Sequence, residues 1–422
     1  MAQLSSDSFA FGGKLQRLEA ALDDLGARLK PVAGVETVPL ARVAGRILAV
    51  DVVSGRSVPS FDNSAVDGYA VRFDDLLPTG ETQLPVGARV AAGARDVAAI
   101  RPGEAIRIFT GAPMPEGADT VFMQEDVRLE ERAVVLPSGL KQGANRRFAG
   151  EDFAVGDPML GAGERLRAQH VAALAATGTR VVPVFRPLRV AVFSTGDEVI
   201  DPERYPEGLP MPHGTQFDSN RPMLMALLAA RGMEAIDLGI LPDRPEVITR
   251  ALSEAAGTCD AILTSGGVST GEEDHVKAAV EKAGRLDFWR LAIKPGRPIA
   301  MGTIAGKSFL GMPGNPAAVF VTFTRFVGPV LDLLAGAKPD RPVAMPVIAG
   351  FDYRKKAERR EYVRVRLDIA DGKPVAQRFE KDGAALISSL IASDGLVELE
   401  EDRTSVTAGD TLRFLSFAAL KA

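Results

Sequence analysis

The stretch DAILTSGGVSTGEEDHVKAAVEKAG (260–284) decides how this chain is read. Ala261–Ser265 is a short apolar run suited to a buried strand, and it ends in Gly266-Gly267. A polar loop follows to Asp274, and from His275 the apolar residues Val276, Ala279, Val280 and Ala283 recur at helical spacing. Strand, glycine-rich loop and helix start together form a receiver for an anionic group, through bare backbone N–H donors and the helix dipole. Ser265, Gly266, Gly267, Val268 and Ser269 supply those donors; Asp274 stands where a helix cap would also stand.

Two further rigid loops lie downstream. Lys294-Pro295-Gly296-Arg297-Pro298 sets two cations three residues apart on a backbone stiffened by proline, an arrangement suited to an oxyanion. In Gly311-Met312-Pro313-Gly314-Asn315-Pro316, Asn315 is a candidate N-cap and Pro316 a first helical residue. Each loop follows an apolar strand, and in open α/β sheets that edge is where ligands bind.

From Leu188 strands and helices alternate. Strands are expected at Arg189–Phe193, Ala235–Ile240, Ala261–Ser265 and Leu286–Ile293, and helices at Arg221–Arg231, Pro245–Ala256, His275–Ala283 and Pro316–Leu334. This alternation predicts a parallel, doubly wound sheet covered on both faces. Glu198 follows its first strand, Asp243 its second and Asp274 its third, so their carboxylates converge on one edge. Hard oxygen ligands beside a phosphate suit Mg²⁺; equally, each acid can cap the helix after it.

Outside this unit the pattern changes. The leucines of 14–30 mark an amphipathic helix, Val38–Ala49 reads as a second, and Ala168–Thr177 as another. Between them, short β runs punctuated by Pro and Gly (Ala70–Phe73, Ala105–Phe109, Thr120–Met123, Ala133–Leu136) predict a small all-β insertion. After Gly336, five further β runs predict a barrel or sandwich. The expected division is 1–55 with 146–186 (mainly helical), 56–145 (β), 187–336 (α/β, bearing the site) and 340–422 (β-barrel).

Composition excludes several functions. A net charge of −5 argues against a nucleic-acid-binding face. The single cysteine, Cys259, excludes an internal disulfide framework, and three scattered histidines (His170, His213, His275) give no basis for a zinc cluster. Neither a signal peptide nor a membrane span is expected, which makes the cytoplasm the expected location. No serine or cysteine nucleophile has a partner base. Metal-assisted handling of a phosphorylated substrate therefore fits better than covalent catalysis.

Seven motifs, in order FDNSAVDGYAV (61–71), TGAPMPEGADTV (110–121), GED (150–152), STGDEV (194–199), SGGVSTGEED (265–274), FWRLAIKPGRP (288–298) and GMPGNP (311–316), resemble the molybdopterin molybdenumtransferase (MoeA, gephyrin E-domain) family. The resemblance implies a MoaB/Mog-like central domain, interleaved N-terminal domains and an elongated homodimer. It also implies insertion of molybdenum from molybdate into adenylylated molybdopterin with release of AMP. On that basis Asp67, Thr110, Asp152 and Glu198 line a cleft shared between subunits. Asp243 and Asp274 place Mg²⁺, and Lys294, Arg297 and Arg364 bind molybdate. Ser265–Ser269, Arg290 and Pro313–Pro316 hold substrate. The implied partners are a molybdopterin adenylyltransferase and the apo-proteins of molybdoenzymes or their chaperones. Three positions depart from the family: Arg290 and Arg297 stand where lysine is common, and Ala384 where serine is common. A paralogue with altered chemistry, using tungstate or serving as a dimeric scaffold, is the alternative these departures allow.

Overall fold

The computed structural model describes residues 15–267, 275–296 and 298–422. A six-stranded sheet forms the centre, in the order Glu234–Leu241, Arg189–Thr195, Ala261–Ser265, Lys307–Met312, Pro298–Ile304, Gly284–Arg290. The first four run parallel. Pro298–Ile304 is antiparallel to both of its neighbours, so Gly284–Arg290 again points along the parallel set. The parallel expectation is thus modified by one reversed strand, made possible by the two-residue turn Ala305-Gly306, where both φ angles are positive (47° and 80°).

Side-chain alternation explains why both faces are covered. Val190, Val192, Ala261, Leu263, Leu310 and Met312 point into one core with helices Leu18–Arg28, Asn220–Ala230 and the long helix from Pro316. Ala191, Phe193, Ile262 and Phe309 point into the other, with helices Pro245–Thr258 and His275–Ala283. Cys259 lies buried in that second core. The helix Pro316–Leu334 is the one described helix apolar and long enough to cross a membrane, and 89% of it is buried inside the fold. A core helix accounts for that apolarity.

The N-terminal unit differs from expectation in one element. Val38–Ala49 is not a helix: strand Val35–Pro39, a 3₁₀ turn Leu40–Arg42 and strand Ile47–Leu48 occupy it, and both strands pair with Val181–Phe185. Gly45 at φ 79° turns the chain where a helix would have had to continue. Helix Ala168–Ala176 covers this small sheet through Leu174, while Leu18–Arg28 packs instead on Gly328–Leu334.

The insertion is a six-stranded sheet to which the unanticipated strand Glu81–Val90 contributes. The C-terminal strands Arg360–Ala370, Lys373–Arg378, Met345–Ala349, Thr411–Ser416 and Gly395–Leu399 close on themselves, the last pairing back with the first, to form a five-stranded barrel. Val363, Val365, Val397, Leu399 and Phe414 fill it, while Tyr362, Leu396 and Leu415 face out into the α/β core. The two-residue strand Ile293–Lys294 adds to the barrel, with Ile293 opposite Arg360 and Lys294 opposite Glu361. The barrel is therefore fixed to the loop that follows Gly284–Arg290.

Candidate functional site

The three polar loops meet at the C-terminal edge of the central sheet. Ser265 is buried, and Gly266 donates its N–H to Met312 O at 3.0 Å, joining the first loop to the third. Gly266 and Gly267 both have positive φ (85° and 64°), and a Cβ at Gly267 would stand 2.5 Å from Val276 Cγ2 and 2.9 Å from Thr195 Cγ2. Only glycine allows strand, loop and helix to approach so closely. Pro313 and Gly314 follow Met312, and Asn220 Nδ2 donates to Gly314 O at 2.7 Å. Asn315 is the N-cap of the helix and Pro316 its first residue, as expected, although the Asn315 side chain makes no capping bond.

The KPG loop is seated on that same helix. Gly296 has φ 106°, and a Cβ there would lie 2.1 Å from Thr322 Oγ1 and 3.3 Å from Ala318 O. Lys294 carries an exposed ammonium, yet it is not unpartnered: Nζ lies 3.1 Å from Glu361 Oε2 and 3.5 Å from the Tyr353 hydroxyl. Arg364 reaches the neighbourhood from the barrel. It donates to Gly383 O at 3.1 Å, and the next residue, Ala384, accepts from Ala317 N at 2.9 Å. Burial holds the Arg364 guanidinium below the usual arginine range, partly offset by Asp382. The chain around each cation therefore touches the helix that begins at Pro316, Gly296 at Ala318 and Thr322 and Ala384 at Ala317.

On the opposite side of the loops lie the carboxylates. Burial raises the Asp243 carboxyl above its ordinary value. His275 opposes that rise, while Asp197 and Glu198 add to it. Thr195 Oγ1 lies 3.5 Å from Asp243 Oδ1. Asp197, Glu198 and His275 thus act on Asp243 electrostatically, but burial is the leading cause of its rise, and among the described residues no group of three acids, histidines or cysteines could hold a metal ion. A hard divalent cation here would need further oxygen ligands, such as the substrate's phosphate.

Asp67 and Thr110 belong to the β unit, and Asp152 follows it in the 146–186 segment. Thr110 donates both its N–H and its hydroxyl to Asp67 Oδ1, each at 2.8 Å, and these bonds hold the Asp67 carboxyl below the usual range. The backbone around Asp67 is fixed by Gly68, where a Cβ would stand 1.8 Å from Phe122 O on the neighbouring strand. Asp152 is exposed and donates its N–H to Val58 O. Asp67 and Thr110 bond each other and Asp152 bonds Val58, so the structure links the loops of Ser265–Gly267, Pro313–Pro316, Lys294 and Arg364 but does not bond these three to them. Val268, Ser269, Asp274 and Arg297 lie outside the described residues, as does the Arg290 side chain.

Sequence reasoning missed Glu361 and Tyr353 against Lys294, Asn220 against Gly314, and His275 beside Asp243. Glu361 sits in a charged, alternating run that reads as a solvated strand face, yet it is buried. Tyr353 and Asn220 carry no local signal at all.

A glycine-rich, mostly parallel sheet edge flanked by an inserted β unit and a docked barrel defines the class: a multidomain protein built on a doubly wound α/β domain with its candidate site at the loops of that edge. Models of the MoeA N-terminal region (domains I and II), the probable molybdopterin-binding domain and the MoeA C-terminal region (domain IV) match residues 16–178, 191–333 and 346–417. The molybdopterin molybdenumtransferase of Haemophilus influenzae is 39% identical over 385 residues, covering 90% of this chain and 94% of that protein. The one from Nostoc is 36% identical over 398 residues, covering 92% and 89%. A crystal structure of the molybdopterin biosynthesis moeA protein of Pyrococcus horikoshii superposes with a TM-score of 0.80 at 31% identity, covering 96% of this chain and 100% of that one. The chain belongs to the molybdopterin molybdenumtransferase (MoeA) family.

Proposed function

We propose that this protein is a molybdopterin molybdenumtransferase that inserts molybdenum from molybdate into adenylylated molybdopterin and releases AMP. The observation that carries the reading is the junction of the anion-receiving loop, the Lys294 loop and Arg364 around the start of the helix at Pro316. The Gly266 N–H expected as a bare donor is committed to Met312 O, so the phosphate would take donors of the loop beyond it, and two cations of different geometry suit a dianion. The dithiolene of the substrate supplies soft sulfur ligands, so the protein needs no cysteine cluster of its own.

Asp243 and Asp274 would hold Mg²⁺, which would supply charge neutralisation at the phosphoanhydride. Asp67, Thr110, Asp152 and Glu198 complete the cleft in a homodimer in which the β unit of one subunit faces the α/β unit of the other. The product passes to molybdoenzyme apo-proteins or their chaperones, and the substrate comes from a molybdopterin adenylyltransferase, in the cytoplasm.

The experiment combines purified protein, adenylylated molybdopterin, Mg²⁺ and molybdate, scored for AMP release and for activation of a molybdenum-free apo-enzyme. Molybdate-dependent release with activation is the expected result. Binding without turnover overturns the transferase reading in favour of a scaffold paralogue, and turnover with tungstate alone changes the metal. Asp274→Ala is expected to abolish Mg²⁺-dependent AMP release. Lys294→Ala is expected to raise the molybdate concentration for half-maximal rate at least tenfold; an unchanged requirement removes Lys294 from the oxyanion site.

A further inference from the structure

Lys294 lies on the loop that follows strand Gly284–Arg290 of the α/β sheet, where it pairs with the barrel, and the groups that hold its ammonium come from the barrel. Glu361 Oε2 lies 3.1 Å from Nζ, the Tyr353 hydroxyl lies 3.5 Å from it, and that hydroxyl donates to the same Glu361 oxygen at 2.8 Å. The three groups close a triangle around one carboxylate oxygen. The Glu361 side chain is only 5% exposed, whereas that of Lys294 is 52% exposed. One end of the pair is thus anchored in the protein and the other is presented to the cleft.

Backbone geometry reinforces the anchoring. Lys294 pairs with Glu361 in the register of a short parallel ladder, and Arg360 donates its N–H to Ala292 O at 2.7 Å. Tyr353 is set in turn by edge-on contact with Phe351 and by the Arg378 guanidinium 5.2 Å from its ring. Burial first, and then the bond to Glu361, pushes the Tyr353 hydroxyl well above its ordinary value, so it stays protonated and remains a donor. A lysine ammonium has three donors. Glu361 takes one, the Tyr353 hydroxyl lies at the margin of a second, and at least one is left to face an incoming anion.

Resting on the transferase reading, we infer that Glu361 and Tyr353 are positioning residues: they hold the Lys294 ammonium toward the oxyanion, so the barrel sets molybdate affinity through a residue of another domain. A lysine on a flexible four-carbon stem gains most from such restraint, because its rotamer freedom is lost before the anion arrives.

The test measures molybdate half-saturation and maximal rate for Glu361→Gln, Glu361→Asp, Tyr353→Phe and each combined with Lys294→Ala. Glu361→Gln is expected to raise half-saturation five- to twentyfold with little change in maximal rate, and Tyr353→Phe two- to fivefold. Glu361→Asp should recover part of the loss. In the Lys294→Ala background neither substitution should have a further effect, because residues acting through one group are not additive. Equal fold-losses with and without Lys294 would overturn the proposal and leave Glu361 a structural residue. Tyr353→Phe removes one hydroxyl from a packed ring and so keeps the test valid if Glu361→Gln fails to fold. If Lys294→Ala itself leaves the molybdate requirement unchanged, it is the oxyanion reading that fails, a result distinct from failure of the positioning role.

Discussion

At the scale of single residues, the site depends on glycines whose role is spatial as well as conformational. Gly267 adopts φ 64°, and a side chain there meets Val276 from the helix and Thr195 from the neighbouring strand. Gly267→Ala is therefore expected to cost about 2–4 kcal/mol, combining left-handed strain with overpacking, and to lower the midpoint of urea unfolding accordingly. Gly306, at φ 80° with open space around it, shares the strain but not the crowding. Gly306→Ala should cost clearly less, and equal losses would mean that Gly267 acts through φ alone. Thr110 and Asp67 make a second residue-scale case. Two Thr110 donors favour the charged carboxylate, so Thr110→Val, which keeps the N–H but loses the hydroxyl, should move the Asp67 carboxyl up toward its ordinary value. Carboxyl-carbon NMR titration reads this directly, and an unmoved titration would assign the whole effect to the backbone donor.

At the scale of elements, legibility in the sequence followed the uniqueness of each pattern. Ala261–Ser265 and His275–Ala283 were readable to the residue because a glycine pair ends the strand and helical spacing starts cleanly after the loop. Val38–Ala49 was not, since Leu40, Val43, Ala44, Ile47 and Leu48 fall at helical spacing, while the structure uses this run for two short strands around a turn. The loops of the candidate site were legible for the same reason as the strands they follow. Glu361 was hidden because strand alternation cannot say which face meets another domain. Pairing across elements is equally hidden in sequence, and Arg186 with Asp260 shows it. The guanidinium grips both carboxylate oxygens at 2.6 and 2.7 Å, tying the end of the N-terminal unit to the start of the central strand. Burial alone would raise the Asp260 carboxyl; the Arg186 fork and the Arg189 N–H outweigh it and hold it below the ordinary value. A carboxyl lowered on folding contributes stability that is present above its unfolded value, near pH 3.9, and disappears as pH falls through the folded value. Asp260→Asn is accordingly expected to lose stability at pH 7 and to show a shallower decline in acid, measured as urea midpoint from pH 7 to pH 3. Parallel acid limbs for the two proteins would remove Asp260 from that dependence.

At the scale of the whole molecule, three parts of the chain distant in sequence converge on Asp332, on the helix that runs under the central sheet. Arg231 donates to it at 2.5 Å from the end of helix Asn220–Ala230, Arg165 at 3.0 Å from the N-terminal unit, and Lys421 lies 3.7 Å away at the C-terminus. Arg231 also donates to Leu420 O at 2.9 Å, and Gly328 leaves room for its guanidinium, which a Cβ would approach to 2.6 Å. Burial pulls the Arg231 guanidinium below the usual arginine range, against the support of Asp332. Such a buried group tolerates loss of its partner badly, because the remaining charge stays desolvated. Asp332→Ala is expected to destabilise the protein by about 3–5 kcal/mol, whereas joint replacement of Arg231 by Met and Asp332 by Leu should recover much of that loss. Hydrogen exchange then separates two accounts of the contact. If Asp332 joins the units, Asp332→Ala should raise exchange both in strand Ile47–Leu48, where Ile47 is bridged to Arg165, and in the C-terminal residues around Leu420. If exchange rises only within the helix Gly328–Leu334, the ion cluster serves that helix alone, and the N-terminal unit is held instead by the packing of Leu18 and Leu25 against the central core.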